Sequence, residues 1–352
     1  MDNKIDFVIT WVDDSDSKWR EAYEYHSAKE GRTINADACR YRDWDTLRYW
    51  FRGVEKFAPW VNKIYFVTYG HLPKWLNTDN PKLVIVKHED FIPAQYLPTF
   101  SSNVIELYFH KIKGLSDKFV YFNDDMFLID DVSPDRFFKK GLPCDMGALE
   151  IWRPDRIVFS DMVLMSIGII NTNFDKKAVL NKNIFKWYNK AYIKVSLRNF
   201  LYHRLDFFPG FFNHHLPQGY LKHIYDEIWS NCEEDLTRTS YNKFRAYGDV
   251  APWLIRYWQL ASGNFSPCNV NNDGKAFYLC DDIISECVDC ISHQKKKLIC
   301  LNDDEHVTHF EENKQQLLRA FEQILPEKSS FERLPEGQVN GSSSCTRPAD
   351  KK

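Results

Sequence analysis

The sequence predicts an α/β protein built on a mostly parallel sheet, and three observations predict it. Short apolar runs rich in β-branched residues alternate with segments of helical period. Those runs are continuous rather than alternating, as strands covered on both faces require. One of them, beginning at Lys118, stops abruptly in Asn123-Asp124-Asp125. Ligands of open α/β sheets bind beyond the carboxyl ends of the strands, so oxygen donors placed there mark a candidate site.

The elements follow in order. Ile5-Asp-Phe-Val-Ile-Thr-Trp11 is a first buried strand, closed by the polar turn Asp13-Asp14-Ser15-Asp16. From Asp45, Leu47, Trp50, Phe51, Val54 and Phe57 recur at helical spacing, with Arg48, Arg52 and Lys56 on the other faces, until Ala58-Pro59 stops the run. Lys63-Ile-Tyr-Phe-Val-Thr68 is a second strand, closed by Gly70. Lys82-Leu-Val-Ile-Val-Lys87 is a third, introduced by Asn80-Pro81. A helix is expected over 102–113, and the strand that ends in Asn-Asp-Asp follows it. Strand and helix alternate, so the strands should run parallel.

Beyond Pro134 the pattern loosens. Residues 141–212 are rich in Phe, Trp and Tyr without clean periodicity, and read as an insertion or lid packed on the sheet. A helix is expected from Pro217, with Leu221, Ile224, Tyr225 and Ile228 on one side, because proline suits a first helical turn. Another is expected over 249–260. A cysteine-bearing hairpin follows, then a helix over 311–324 with Leu317, Leu318, Phe321 and Ile324 as its packed stripe. From 335 onward Gly, Ser, Asn and charge replace apolar residues, so 335–352 reads as a disordered tail. The expected organisation is one domain over 1–334, in parts 1–140, 141–212 and 213–334.

Composition excludes several classes. The chain has 352 residues, 44% of them apolar, enough for one sizeable core. Lys+Arg 46 against Asp+Glu 49 gives −3, so no overall basic field recruits nucleic acid, and phosphate recognition must come from locally placed arginines. The start, Met1-Asp-Asn-Lys-Ile-Asp, lacks a charged-then-apolar leader, and no stretch reaches the roughly 18 uninterrupted apolar residues of a membrane span. A cytoplasmic chain is expected. The nine cysteines fit that compartment as free thiols. Cys280, Cys287, Cys290 and Cys300 contain one Cys-x-x-Cys pair compatible with structural zinc, but the flanking spacings are irregular and reduced structural thiols are the preferred reading.

Asn123-Asp124-Asp125 alone would pass for an acidic turn. Paired carboxylates at a strand end can equally hold a hard divalent cation against phosphate. Its surroundings decide. Ile5-Asp-Phe-Val-Ile-Thr-Trp-Val-Asp-Asp-Ser-Asp16, Arg40-Tyr-Arg-Asp-Trp-Asp-Thr-Leu-Arg48 through Trp60, Leu97-Pro-Thr-Phe-Ser-Ser102 through Asp125, and the later blocks His215-Leu-Pro217, Phe244-Arg245-x-x-x-Asp249 and Cys300-Leu-Asn-Asp303 together resemble the Stealth family. That family comprises bacterial capsular and cell-wall polysaccharide phosphotransferases, and the animal N-acetylglucosamine-1-phosphotransferase is similar.

The resemblance implies a Rossmann-like nucleotide-sugar transferase core with a helical, aromatic insertion and C-terminal helices. It implies transfer of a hexose 1-phosphate from a UDP-hexose, such as a UDP-N-acetylhexosamine, to an acceptor hydroxyl, with Mg²⁺ or Mn²⁺. The acceptor it implies is a lipid-linked oligosaccharide or growing glycan at the inner membrane face, hence a peripheral membrane contact. Carried onto this chain, Asp124 and Asp125 are the metal candidates, with Asn123 beside them. Arg245 is the candidate clamp on the diphosphate, since a guanidinium meets phosphate oxygens bidentately and stays charged; the alternative is an ion pair with Asp249. His215 could deprotonate the acceptor hydroxyl or hold the bridging oxygen of the leaving group. Thr10, Trp11, Asp13 and Asp16 should contact the nucleotide, with Arg40, Asp43 and Arg48 from the second block and Asp249, Asn302 and Asp303 from the C-terminal blocks. Family members commonly carry Gly where this chain has Asp14, which leaves the turn geometry and donor preference open. Two other classes remain: a metal-dependent glycosyltransferase, which would break the sugar–oxygen bond and release UDP, and a polysaccharide-binding module.

Overall fold

The computed structural model describes residues 4–32, 42–303 and 306–333. The expectations for Arg40 and for a disordered tail therefore lie outside the described residues. β1 (Asp6–Thr10) has Phe7, Val8 and Ile9 wholly buried, as a central strand requires. α1 (Ser17–Lys29) and α2 (Leu47–Phe57) follow. β2 (Ile64–Thr68), β3 (Leu83–Lys87), α3 (Ser102–Leu107) and β4 (Lys118–Phe122) complete the N-terminal unit. The helix expected over 102–113 breaks after Leu107, and a 3-10 turn at Phe109–Lys111 carries the chain into β4.

The four strands lie in the order β3-β2-β1-β4, all parallel, with Phe7 opposite Ile64 and Ile9 opposite Phe122 across the central pairs. The order reverses between β1 and β4, so their carboxyl ends splay and leave a crevice.

β5 (Met126–Leu128) leaves this sheet, and β6 (Phe138–Lys139) and β7 (Leu142–Asp145) form a small ladder. The insertion is helical: α4 (Val158–Asn173), α5 (Lys176–Lys182), α6 (Ile184–Trp187) and α7 (Ile193–Leu201). β8 (Gln218–Leu221) then adds an antiparallel edge to the central sheet beside β4. This corrects the helix expected from Pro217. The residues after the proline are all buried, and the helix α8 (Lys222–Tyr241) starts only at Lys222. α9 (Trp253–Ser262) starts after Pro252, later than the expected 249.

β9 (Ser266–Pro267) pairs with β7. β10 (Gly274–Tyr278), α10 (Ile284–Ser292) and β11 (Leu298–Asn302) replace the expected hairpin with a crossover, because β10 and β11 run parallel. β5 lies antiparallel on the other side of β11, giving a second sheet of order β10-β11-β5. α11 (Phe310–Ile324) packs against α10, and its Phe321 meets Phe127 of β5. The second sheet meets the first through α2, where Gly53 faces Leu128; a Cβ at Gly53 would lie 2.6 Å from that residue's carbonyl oxygen. Among the described residues, no helix is long and apolar enough to cross a membrane.

Candidate functional site

A cleft of about 1260 Å³ opens beyond the carboxyl ends of β1, β4 and β11. β1 delivers Thr10, Trp11 and Asp13 to it, β4 delivers Asn123, Asp124 and Asp125, and β11 delivers Asn302 and Asp303. His215 enters from the segment before β8, and Arg245 from the loop after α8. Each carboxylate group sits where a buried strand runs out of apolar residues, so the backbone that positions it is rigid while the side chain faces the cavity.

A relay of hydrogen bonds crosses the floor. The Tyr121 hydroxyl donates to Asn123 Oδ1 at 2.5 Å and lies 3.1 Å from Thr10 Oγ1. With its oxygen engaged, the Asn123 amide turns Nδ2 to His215 Nε2 at 3.3 Å. In that arrangement Nε2 carries the lone pair and Nδ1 the proton. His215 Nε2 is also 3.9 Å from Asp125 Oδ2. Cys300, from β11, donates its thiol hydrogen to the same Oδ2 at 3.3 Å. Burial, reinforced by the Asp125 charge, holds that thiol well above its usual range, so it is a neutral donor.

Asp124 opens to the cleft but has protein around it and a second carboxylate beside it. The surrounding protein first, then the Asp125 charge, push its carboxyl up to about 7. A cation would relieve that repulsion. Asp125 Oδ1 is buried and has no hydrogen-bond partner. The free Asp125 Oδ1, with the Asp124 carboxylate next to it in sequence, could serve a hard cation such as Mg²⁺, which takes one or two carboxylates and completes its shell with water and substrate phosphate. Asp125, His215 and Cys300 also gather within 4.8 Å of one another. That mixed set would suit a softer ion only if the thiol ionised, and burial opposes this. Among the described residues, Cys280, Cys287 and Cys290 do not join Cys300 in a ligand group. Cys287 and Cys290 are buried thiols of α10, with Cys287 pushed up to about 12 by burial.

Arginines also line the cleft. Arg245 Nη2 donates to Ser102 Oγ at 2.5 Å, holding the guanidinium over the start of α3. Arg42 binds Asp303 bidentately at 2.7 and 2.9 Å. Arg48 stands over the Trp75 ring at 5.6 Å. Trp11 packs on Phe66 and meets His71 edge-on. The Asp13 carboxylate accepts from the Ser15 amide and hydroxyl, while its own amide donates to His71 Nε2 at 2.8 Å. Asp43 lies at the mouth, its carboxyl raised by the surrounding protein.

Two expected contacts fall outside the cleft. Asp16 caps α1, accepting from the Trp19 amide at 2.9 Å, and does not line the cavity. Asp249 is buried beneath the Arg245 loop, where its carboxylate accepts from Asn242 and the Ala246 amide; it shapes that loop without facing the cavity. His214 turns away from His215 and lies 3.6 Å from Asp145, which Arg256 clamps at 2.7 and 2.8 Å.

Two cleft residues escape sequence reasoning. Glu106 sits on the buried side of α3, within reach of Tyr121 and of the Arg245 charge. Burial pushes its carboxyl up to about 8, against the pull of Arg245 and the Tyr121 hydrogen bond. Its signal is a lone carboxylate inside the apolar run Val104-Ile105-Glu106-Leu107. Arg42 lies inside the block Arg40-Tyr-Arg-Asp, where nothing local separates it from its neighbours.

Comparison with known proteins bears on the whole chain. Residues 3–31 match Stealth protein conserved region 1, residues 40–144 conserved region 2, and residues 289–341 conserved region 4. The chain is 44% identical over 335 residues to the capsular polysaccharide phosphotransferase WcwK of Streptococcus pneumoniae, covering 94% of this chain and 98% of that protein. It is 40% identical over 338 residues to the receptor polysaccharide phosphotransferase WefC of Streptococcus gordonii, covering 94% and 100%. It is 36% identical over 331 residues to the exopolysaccharide phosphotransferase cps2G of Lactiplantibacillus plantarum, covering 94% and 96%. Among solved structures, the apo WbbM bifunctional glycosyltransferase is similar at a TM-score of 0.33 and 12% identity, covering 92% of this chain and 52% of that one, too distant to bear on function.

Proposed function

The chain belongs to the Stealth family, and on that premise we propose that it transfers a hexose 1-phosphate from a UDP-hexose to a glycan hydroxyl in capsular or exopolysaccharide synthesis, releasing UMP. The observation that carries this reading is the meeting of Asp125, His215 and Asn123 in one cleft that Arg245 also lines, at the point where the strand order reverses.

The acceptor oxygen attacks the phosphorus that bears the sugar. The bond from that phosphorus to the bridging oxygen breaks, and UMP leaves with the oxygen. The sugar–oxygen bond is untouched, so anomeric configuration is kept. Such a transfer rests mainly on positioning and charge stabilisation. Arg245, held by Ser102, is placed to grip phosphate oxygens in a fork. His215 takes the acceptor proton on Nε2 once the acceptor hydroxyl displaces the Asn123 amide from that nitrogen. Asp124 and Asp125 would hold a Mg²⁺ or Mn²⁺ ion, which would supply positive charge against the diphosphate. Trp11, which lines the cleft, is the candidate to stack on base or sugar. The acceptor is a lipid-linked oligosaccharide or a growing glycan.

Incubation with Mg²⁺, a panel of UDP-hexoses and a lipid-linked acceptor extract, followed by chromatography of the released nucleotide, tests this. UMP appearing with one donor is the expected result and names that donor. UDP as the sole nucleotide product would move the protein to the glycosyltransferases.

A further inference from the structure

α7 is inside out. Its only buried residue is the polar Asn199, while Ile193, Leu197, Phe200 and Leu201 are 64%, 68%, 68% and 75% exposed. Their spacing of i, i+4, i+7 and i+8 puts them in one stripe along the outer face. Phe185, 84% exposed, and Phe207 are further exposed apolar side chains on the flanking segments. An isolated exposed leucine is ordinary, but a continuous aliphatic and aromatic stripe marks a contact surface.

The surrounding charge says which contact. Between residues 176 and 204 there are six lysines and two arginines and no Asp or Glu, in a chain whose overall charge is −3. Lys176 and Lys186 are engaged by backbone carbonyls, and Arg198 by Glu150. Lys190 and Lys194, next to the stripe in sequence, and Lys177, Lys182 and Arg204 on the flanking segments are exposed. A short helix with an apolar face in a basic setting fits an anionic lipid surface, in which the stripe enters the acyl boundary and the cations meet headgroup phosphates. Nine residues cannot span a bilayer, so α7 lies in the interface.

The mounting of α7 ties this surface to the cleft. Asn199 accepts from the Leu149 amide at 2.8 Å and donates to the Gly147 carbonyl, and Arg198 reaches Glu150 at 3.1 Å. Glu150 lines the cleft. We propose that the outer face of α7, with the exposed lysines of this segment, docks the enzyme on the anionic face of a membrane. The docked face stands independently of which sugar phosphate is moved; it deepens the proposed function by giving a lipid-linked acceptor a place to arrive.

Co-sedimentation of the full chain, without substrates, tests the proposal with vesicles of equimolar phosphatidylglycerol and phosphatidylcholine against vesicles of phosphatidylcholine alone. Binding to the anionic vesicles only is expected, lost in about 1 M salt, where screening shortens to ~3 Å. The triple change Leu197→Ser, Phe200→Ser, Leu201→Ser should weaken it at least tenfold. So should Lys190→Gln with Lys194→Gln, at roughly fivefold per lysine. The serine variant should keep the wild-type circular dichroism spectrum and its turnover on a short water-soluble acceptor. Absence of anionic-vesicle binding, or unchanged binding in both variants, overturns the proposal. So does wild-type dimerisation by light scattering that the serine variant abolishes while vesicles remain unbound, since a second copy would then be the occupant. If vesicles bind but UDP is released, the docking surface stands and the proposed function falls.

Discussion

Replacing Glu106 with glutamine should stabilise the substrate-free protein, and by an amount that depends on pH. Glu106 is buried, and its carboxyl rises from 4.5 to about 8 because burial outweighs Arg245 and the Tyr121 hydrogen bond. The folded state therefore keeps a proton that the unfolded chain releases above pH 4.5. Stability carried by this group is fully present below pH 4.5 and declines as pH rises, until the folded carboxyl also ionises near 8. Each pH unit of displacement is worth about 1.36 kcal/mol, so the wild type has lost about 3 kcal/mol by about pH 7 and about 5 kcal/mol above about pH 8. A glutamine at this position has no proton to lose and keeps an amide to pair with the Tyr121 hydroxyl, so the E106Q protein escapes most of that loss. Urea unfolding of both proteins at about pH 5, 7 and 8.5, in EDTA and without donor, reads the difference directly. The stability gap should be below about 1 kcal/mol at about pH 5 and grow to roughly 2–4 kcal/mol at about pH 8.5. A gap that stays flat over that range would refute the reasoning, because a carboxylate already ionised in the fold would give no such slope.

Three further outcomes follow from the site and its supports. Arg245→Ala should weaken UDP-hexose binding, whereas His215→Ala should leave donor affinity nearly intact while turnover falls ~10²-fold or more; equal loss of donor affinity in calorimetric titrations would undo both roles. Chelation with EDTA should abolish transfer and added Mg²⁺ or Mn²⁺ restore it, while Asp125→Asn should resist rescue at any concentration of either ion. Arg256→Met should cost about 3–5 kcal/mol in denaturant unfolding, because it strands the buried Asp145 carboxylate. Arg256 and His214 together hold Asp145 below the usual carboxylate range despite its burial. The pair's contribution is therefore present above about pH 4 and lost as acid protonates the aspartate.

The parts of the fold legible in the sequence are those where one force dominates. β1, β2 and β4 are almost wholly buried, so burial alone writes them as continuous apolar runs; the edge strand β3 is half-buried yet keeps an apolar run, and α2 carries a wide apolar face. α1 escapes because only Trp19, Tyr23 and Ser27 are buried, a stripe too narrow to stand out from its polar neighbours. β8 escapes because Gln218-Gly219-Tyr220-Leu221 belongs to an edge whose partner is about a hundred residues away, and Pro217 gives a helix-start signal that the tertiary pairing overrides. Gly219 is needed there for a different reason: a Cβ would meet the Phe138 ring at 3.1 Å and the Phe137 carbonyl at 3.2 Å. The site divides the same way. Asn123, Asp125, His215 and Arg245 stand in recognisable blocks and do converge on one cleft. Asp16 and Asp249 share those blocks, yet cap α1 and brace the Arg245 loop instead. A block marks a local structure, and it does not say which of its carboxylates faces the ligand.

The second sheet explains why Asp125 can be placed so closely. The chain leaves the central sheet at Phe122 and enters β5 at Met126, so Asn123, Asp124 and Asp125 form the joint between two sheets. That joint is tied on both sides. The Met126 amide donates to the Asn123 carbonyl at 3.2 Å, and the Leu301 amide of β11 donates to the Asp125 carbonyl at 2.8 Å. The neighbouring β11 residue, Cys300, holds Asp125 Oδ2, leaving Oδ1 the oxygen without a partner. One β11 residue therefore fixes the aspartate's backbone and another fixes its rotamer. The same strand ends in Asn302 and leads into Asp303, which draws Arg42 to the cleft wall. Cys300, read from sequence as a scaffold thiol, thus acts through Asp125, and the neutrality that burial imposes on it is what lets it donate. The C-terminal βαβ unit is the support that orients the carboxylate, and the central sheet by itself would leave Asp125 at the end of a strand with nothing to hold its side chain.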